Sequence, residues 1–243
     1  MKHFLKKIAP SALLDFYSKK KYKIDQSPFI GKNVDVVFTE IYQTNKWGNS
    51  ESVSGIGSTI ENTTKIVSEL NKTFIQLNIK TLLDIPCGDF NWAQNLNLNN
   101  INYLGADIVK ELIETNKEKH HQSNIHFEVI NIIEDPLPKT DLILVRDCFV
   151  HFSYDNILKS MQNIIASNST YLLVTNFTKH RLNYNITTGD WRPINLEQAP
   201  FNFPEPEMVI EEHIDPTYKK EGKGKSLSLW KINNLKHLLN DQF

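Results

Sequence analysis

Cysteine is nearly missing from this chain: two in 243 residues, Cys87 and Cys148, both inside apolar segments that read as buried strand ends. Two thiols build no disulfide framework, so a reducing, cytoplasmic setting is expected. Long apolar runs are missing as well. No stretch approaches the ~20 residues that cross a bilayer. The basic, then apolar, N-terminus is interrupted by Pro10, Ser11 and Asp15 and lacks a small-residue cleavage site, so it reads as no secretory signal. It reads as a short amphipathic helix offering Leu13, Leu14, Phe16 and Tyr17 to the body, with peripheral membrane contact as its alternative use. An excess of charge of either sign is also absent: 27 Lys and Arg stand against 28 Asp and Glu, a net charge of −1. That excludes a broad basic surface for nucleic acid. With 40% hydrophobic and 23% charged residues, the composition supports neither disorder nor a fibrous repeat. At this length folding buries roughly 70–75% of the extended chain's surface, so no staples are needed.

From residue 60 onward the apolar period switches regularly between helical and strand-like. Ile60, Val67, Leu70, Phe74 and Leu77 predict an amphipathic helix over 60–78. Strands are predicted at 81–86, 102–107, 126–132, 141–146, 171–175 and 226–232. Ile108, Val109, Leu112 and Ile113 mark a helix between the second and third, and Ser153 caps another carrying Ile157, Leu158, Met161, Ile164 and Ile165. Strands alternating with helices predict an α/β fold: a doubly wound, mostly parallel Rossmann-like sheet with helices on both faces and an antiparallel last strand. Residues 1–59 read as an N-terminal helical cap covering one end of the sheet. Residues 60–243 read as the main domain, with an acceptor-binding insertion at about 176–225, because a weakly periodic segment of that length is usually functional.

Ligands of open α/β sheets bind beyond the carboxyl ends of the strands. There the sequence runs Asp84-Ile-Pro-Cys-Gly-Asp-Phe-Asn-Trp92. A nicotinamide fingerprint needs three glycines at G-x-G-x-x-G spacing, and this turn has only Gly88. Acids at Asp84 and Asp89 repel pyrophosphate but suit a ligand with an ammonium group and no phosphate, such as S-adenosylmethionine. Asp107, ending the second strand nineteen positions after Gly88, is placed to accept from both ribose hydroxyls.

The segments LLDIPCGDFNW, YLGADIV and DLILVRDCFVHF together resemble the class I S-adenosylmethionine-dependent methyltransferases over residues 60–175. The resemblance implies that Asp84, Pro86, Gly88 and Asp89 hold the methionine part, Asp107 and Ile108 the ribose and adenine, and Asn131 the adenine amine where an acid is more usual. Trp47, Ser58, Cys87, Ile132 and Arg146 complete the expected cofactor set. The stretches 46–58 and 189–204 are similar to segments in bacterial methyltransferases of surface-polysaccharide and capsule gene clusters. The acceptor this implies is a small molecule or glycan, with Asn176, His180, Arg181, Trp191, Arg192, Asn195 and Phe201 as its contacts.

Methyl transfer to a hydroxyl requires a base near the end of the fourth strand. His151 is expected in that role and Asp147 beside it as a positioning acid; a half-buried turn histidine and a simple cap are their structural alternatives. Ser54-Gly-Ile-Gly-Ser58 is either a connector or a loop that cradles an anion or closes over the cofactor. Tyr218–Lys225 is a charged loop or the site of a phosphorylated acceptor. His120-His121 has no partner at ligand spacing, and no metal is expected. The aromatics of 191–206 face either an acceptor or a partner subunit. Competing readings are a methyltransferase for a phosphorylated or amine-bearing metabolite, a nicotinamide enzyme, and a binding module.

Overall fold

The structure, a computed structural model, describes residues 26–120, 122–212 and 224–239. The expected N-terminal helix, His121 and residues 218–223 of the lysine-rich loop lie outside them. Helix α1 spans Val34–Gln43 and buries Val37 and Ile41. With Val34 and Phe38 these follow i, i+3, i+4, i+7, the spacing of a single apolar stripe. The chain then passes through a short turn at Ile56–Ser58 into α2, Ile60–Gln76, whose N-cap Thr59 accepts from the Asn62 N–H at 3.4 Å. The predicted stripe of α2 is rotated by part of a turn. Ile60 is exposed, while Thr63, Ile66, Leu70, Thr73 and Phe74 are buried. The two threonines tolerate burial because their hydroxyls donate to carbonyls one turn back, Thr59 at 2.7 Å and Glu69 at 2.9 Å.

Strands β1 (Thr81–Asp84), β2 (Asn102–Asp107), β3 (Ile125–Val129), β4 (Leu142–Val145), β5 (Tyr171–Phe177), β6 (Met208–Glu211) and β7 (Lys225–Lys231) form one sheet in the order β3-β2-β1-β4-β5-β7-β6. All pairs are parallel except those made by β7, which runs against both neighbours. This is the α/β, doubly wound, mostly parallel sheet expected from the alternation. Helices α3 (Lys110–Lys119) and α4 (Tyr154–Ala166) complete the covering layers. Alternate strand residues feed two cores, as the period of two requires. Leu83, Ile143, Val145 and Leu172 pack with Ile157, Met161 and Ile164 of α4. Leu82, Leu142, Leu144 and Leu173 pack with Ile66, Leu70 and Phe74 of α2 on the other face. Burying a Leu or Ile side chain stabilises by about 1.5–3 kcal/mol, so the sheet's register is held from both sides.

As far as residue 212, the insertion is more ordered than its weak periodicity implies. It contributes Ile194, Leu196, Phe201 and Phe203 to the core on the α4 face and includes β6, an edge strand of which only Ile210 is buried. A four-residue edge strand with one buried side chain gives almost no alternation to read.

Candidate active site

Where β1 and β4 lie side by side, their crossovers leave in opposite directions, and a pocket opens beyond their carboxyl ends. Its free space is about 1010 Å³ including the open mouth, and most of its wall is apolar. Five stretches build it: Val34, Phe38 and Tyr42 of α1; Trp47, Val53, Ser54 and Ser58; Ile85 to Gly88 with Trp92; Asp107 to Val109 with Leu112; and Ile130 to Ile132. Arg146, Asp147, Cys148, His151 and Phe152 close the side below β4.

Asp84 ends β1 behind this wall, fully buried. Its Oδ2 accepts from the Tyr103 hydroxyl at 2.7 Å, and no donor among the described residues reaches Oδ1. Burial pushes its pKa up to about 7, against the pull of the Tyr103 hydroxyl and Arg146. Asp107, at the end of β2, accepts from the Val109 N–H at 3.0 Å and the Gly88 N–H at 3.2 Å. Burial raises it to about 6, with these N–H groups opposing. Each oxygen retains a lone pair for a further donor. Gly88 has φ +56°, and a Cβ there would overlap the Ser54 hydroxyl.

The Asp89 carboxylate lies outside the pocket lining. It accepts from the Ser52 hydroxyl at 3.0 Å, the Val53 N–H at 2.9 Å and the Ser54 hydroxyl at 3.3 Å. Beside it, Glu51 accepts from Asn91 at 2.8 Å and from the Ile60 N–H at 2.7 Å. The acid expected at a ligand thus ties the 51–60 segment onto the glycine turn, and Ser54-Gly-Ile-Gly-Ser58 is neither loose nor distant from the pocket.

Arg146 is a buried part of the pocket wall. It donates to Glu212 at 2.6 Å and to the Gly57 carbonyl at 2.8 Å, with its guanidinium 5.1 Å from the Trp92 ring. Glu212 and Asp147, although burial opposes them, hold its proton more firmly than usual. Asp147 sits in the left-handed region, φ +52°, and its Oδ2 accepts from Lys225 at 2.6 Å. Burial acts to raise its pKa, but Lys225 and Arg146 outweigh it and bring the carboxyl to about 2. Asp147 therefore stays ionised and takes no proton near neutrality. His151 lies on the three-residue turn Phe149–His151, half-buried, its ring 5.2 Å from that of Trp47. Nδ1 meets the Asp190 carbonyl at 2.9 Å, which fixes that nitrogen as the N–H. Among the described residues Nε2 has no hydrogen-bond partner. Burial lowers the pKa despite the Asp190 carbonyl and Asp147, and Arg192 and Lys225 lower it further.

The expected cofactor residues Trp47, Ser58, Pro86, Cys87, Gly88, Asp107, Ile108, Asn131, Ile132 and Arg146 come together on one wall with Asp147 and His151. The Asn131 amide oxygen, expected to meet an adenine amine, accepts from the Ile133 N–H of its own turn at 3.0 Å. The expected acceptor residues do not line the pocket. Asn176 is fully buried and donates to Glu197 and Ser228; Asn195 donates to the Thr178 and His180 carbonyls; Phe201 packs edge-on to Tyr154 at 5.3 Å. Arg192 is fully buried and donates to three backbone carbonyls. Asn176, Arg192 and Asn195 spend their polar atoms on the chain itself, and Phe201 is packed inside it. His180 is half-buried and Arg181 exposed, both beyond the lining; Trp191 is 41% exposed, its ring against Phe177.

Neither a protein-family model nor a curated protein matches the chain. Among solved structures, the methyltransferase domain of a bacterial Hen1 protein, CtHen1-CN, superposes with a TM-score of 0.51 at 12% identity, over 70% of this chain and 99% of that one. The fold is that of a methyltransferase domain. Magnesium protoporphyrin IX methyltransferase of Synechocystis PCC 6803, solved with S-adenosylmethionine, gives 0.48 at 11% identity over 62% and 79% of the two chains. The N-methyltransferase NodS of Bradyrhizobium japonicum WM9, with S-adenosylhomocysteine, gives 0.42 at 14% identity over 56% and 73%.

Within this fold the largest omission of the sequence reading is the α1 wall of Val34, Phe38 and Tyr42. The signal was available in the i, i+3, i+4, i+7 spacing of Val34, Val37, Phe38 and Ile41. Val53 was not picked out because nothing but its neighbours marks it, and Ser54, Trp92 and Phe152 entered only as parts of longer motifs.

Proposed function

We propose that the chain is an S-adenosylmethionine-dependent methyltransferase that methylates a hydroxyl of a sugar or surface-glycan intermediate. The residues present fit the cofactor. Asp107 has lone pairs left for ribose hydroxyls, Ile108, Val109 and Ile132 offer flat apolar walls for a purine, and Asp84 Oδ1 is a buried acceptor lacking a donor. Gly88 lets the backbone approach without a side chain. When bound, S-adenosylmethionine supplies an electrophilic methyl on a sulfonium.

The observation that carries the reading is His151. The residue lines the pocket, and its Nδ1 is engaged by the Asp190 carbonyl, so the neutral ring keeps its lone pair on Nε2. That atom takes the acceptor's hydroxyl proton. Asp147, held ionised by Lys225 and Arg146, stabilises the imidazolium that results and takes no part as a base. Trp47, 38% exposed with its ring 5.2 Å from that of His151, lines the pocket beside the base. An exposed indole beside a base favours an acceptor with an apolar ring face and polar edges, as sugars have. Lys225 is spent on Asp147 and Glu212, which argues against its serving a phosphorylated acceptor.

The test is a methyl-transfer screen against purified capsule and lipopolysaccharide intermediates, read as a mass gain of one methylene. His151→Ala is expected to lose about 10²–10⁴-fold in turnover with unchanged calorimetric affinity for S-adenosylhomocysteine. Because the His151 pKa lies below the ordinary histidine value, parent activity is expected to persist below pH 6.5 and fall only as the ring protonates. Full turnover by His151→Ala at every pH overturns the base assignment.

A further inference from the structure

Arg192 is buried completely, and among the described residues no carboxylate pairs with it. A guanidinium placed so is costly, because desolvation is not repaid by a counter-charge. Burial brings its pKa down to about 10. The hydrogen bonds show what the cation does instead. Nη1 donates to the Phe149 carbonyl at 2.7 Å, Nη2 to the Phe152 carbonyl at 2.8 Å, and Nε to the Tyr184 carbonyl at 3.0 Å. Its backbone N–H donates to the Val150 carbonyl at 3.0 Å, and the Gly189 N–H to the His151 carbonyl at 2.8 Å.

Every carbonyl from Phe149 to Phe152 therefore accepts from Gly189 or Arg192. A three-residue turn cannot satisfy its own trailing carbonyls, and here the insertion supplies the donors. The same segment offers the Asp190 carbonyl to His151 Nδ1. Gly189 has φ +102° and abuts Val37 and Phe29, which leaves no room for a side chain that would separate the segment from α1.

We infer that Arg192 is the positioning residue for His151: by gripping the carbonyls on both sides of it, Arg192 aims Nε2 at the pocket and holds Nδ1 against Asp190. This rests on the reading of His151 as the base. The charged groups that face the ring are Asp147 from the end of β4, Lys225 from β7 and Arg192 from the insertion. Asp147 favours the imidazolium, while Arg192 and Lys225 disfavour it, so the same guanidinium that fixes the turn also helps keep the ring neutral.

The experiment uses the full chain labelled with ¹⁵N-histidine, with His151 assigned by its loss in His151→Gln, and reads tautomer and titration from long-range ¹H–¹⁵N spectra. In the parent, His151 is expected as the Nδ1–H tautomer; an Nε2–H tautomer overturns the proposal without any variant. In Arg192→Gln the tautomer is expected to become mixed and the pKa to climb toward the ordinary value of about 6.5, while S-adenosylhomocysteine affinity stays within about twofold of the parent's. A folded Arg192→Gln with the parent's tautomer and pKa overturns it. If that variant fails to fold, Arg192→Lys keeps the charge but loses the fork; mixed tautomers support the proposal and an unchanged tautomer overturns it. Altered spectra together with full turnover by His151→Ala keep the positioning and discard the base; unaltered spectra with a dead His151→Ala do the reverse.

Discussion

Asp84 combines two conditions that rarely coincide in a single side chain: complete burial and one carboxylate oxygen with no donor. An ionised, half-satisfied carboxylate inside a sheet is destabilising, and the raised pKa is the expression of that cost. The sign follows directly. With a folded pKa of about 7 against an ordinary value of 3.8, the native state binds more protons than the unfolded chain between these limits. The stability Asp84 contributes is therefore complete below about pH 4 and lost as pH rises through 7. Asp107 adds a smaller slope of the same sign up to about 6, and Asp147, whose pKa is depressed, acts oppositely and only at lower pH. Asp84→Asn keeps an acceptor for the Tyr103 hydroxyl and removes the charge. Its Tm advantage over the cofactor-free parent is expected to be near zero at about pH 4 and to grow until about pH 7, while affinity for S-adenosylmethionine falls about 10- to 100-fold through loss of a charged partner. Calorimetry across pH decides both; a Tm difference that does not change with pH removes the argument. At this scale Asp107 was legible in the sequence because strand-end acids follow in fixed order along the chain. Arg192, Asn195, Asn176 and Phe201 were not, since a planar donor or an aromatic ring reads the same whether it meets a ligand or its own backbone.

Among the elements, the segment of residues 47–58 depends on single side chains of the turn after β1. It has little regular structure, and it stays in place because Asp89 accepts three hydrogen bonds from it and Glu51 spans from Asn91 to the first N–H of α2. Trp47, Val53, Ser54 and Ser58 reach the pocket through this tether. Asp89→Ala is expected to speed amide exchange at Val53 and Ser54 by about 10- to 100-fold, the loss of a charge-assisted bond, and to quicken S-adenosylhomocysteine release, leaving exchange in β1, β4 and β5 unchanged. Hydrogen-exchange mass spectrometry over 47–58 checks it; exchange at the parent's rate there would mean that the tether is not Asp89. The sheet and its helices were legible because period two and period 3.6 are written over several residues each. The tether was not, because its partners stand 35 to 37 positions apart and no periodicity joins them.

At the scale of the molecule, the pocket draws its wall from Val34 in α1 to Phe152 beyond β4, so six separate stretches meet only when the sheet has its order. Two of them, α1 and the 47–58 segment, lie outside the sheet. A ligand that fills the space between them bridges the glycine turn, the β2 end and α1 at once, and the unfolded chain has no such site. Binding to the native state alone stabilises by about 2.7 kcal/mol at a hundredfold excess over Kd. For a chain of this size about 2–4 °C accompanies each kcal/mol, so S-adenosylhomocysteine at that excess is expected to raise Tm by roughly 5–10 °C. NAD at the same concentration is expected to do nothing, because the turn after β1 has one glycine where a nicotinamide fingerprint needs three. Scanning fluorimetry with the two ligands in parallel measures both. An equal rise with NAD would return the pocket to nicotinamide chemistry, and no rise with either would leave a methyltransferase fold that binds neither ligand.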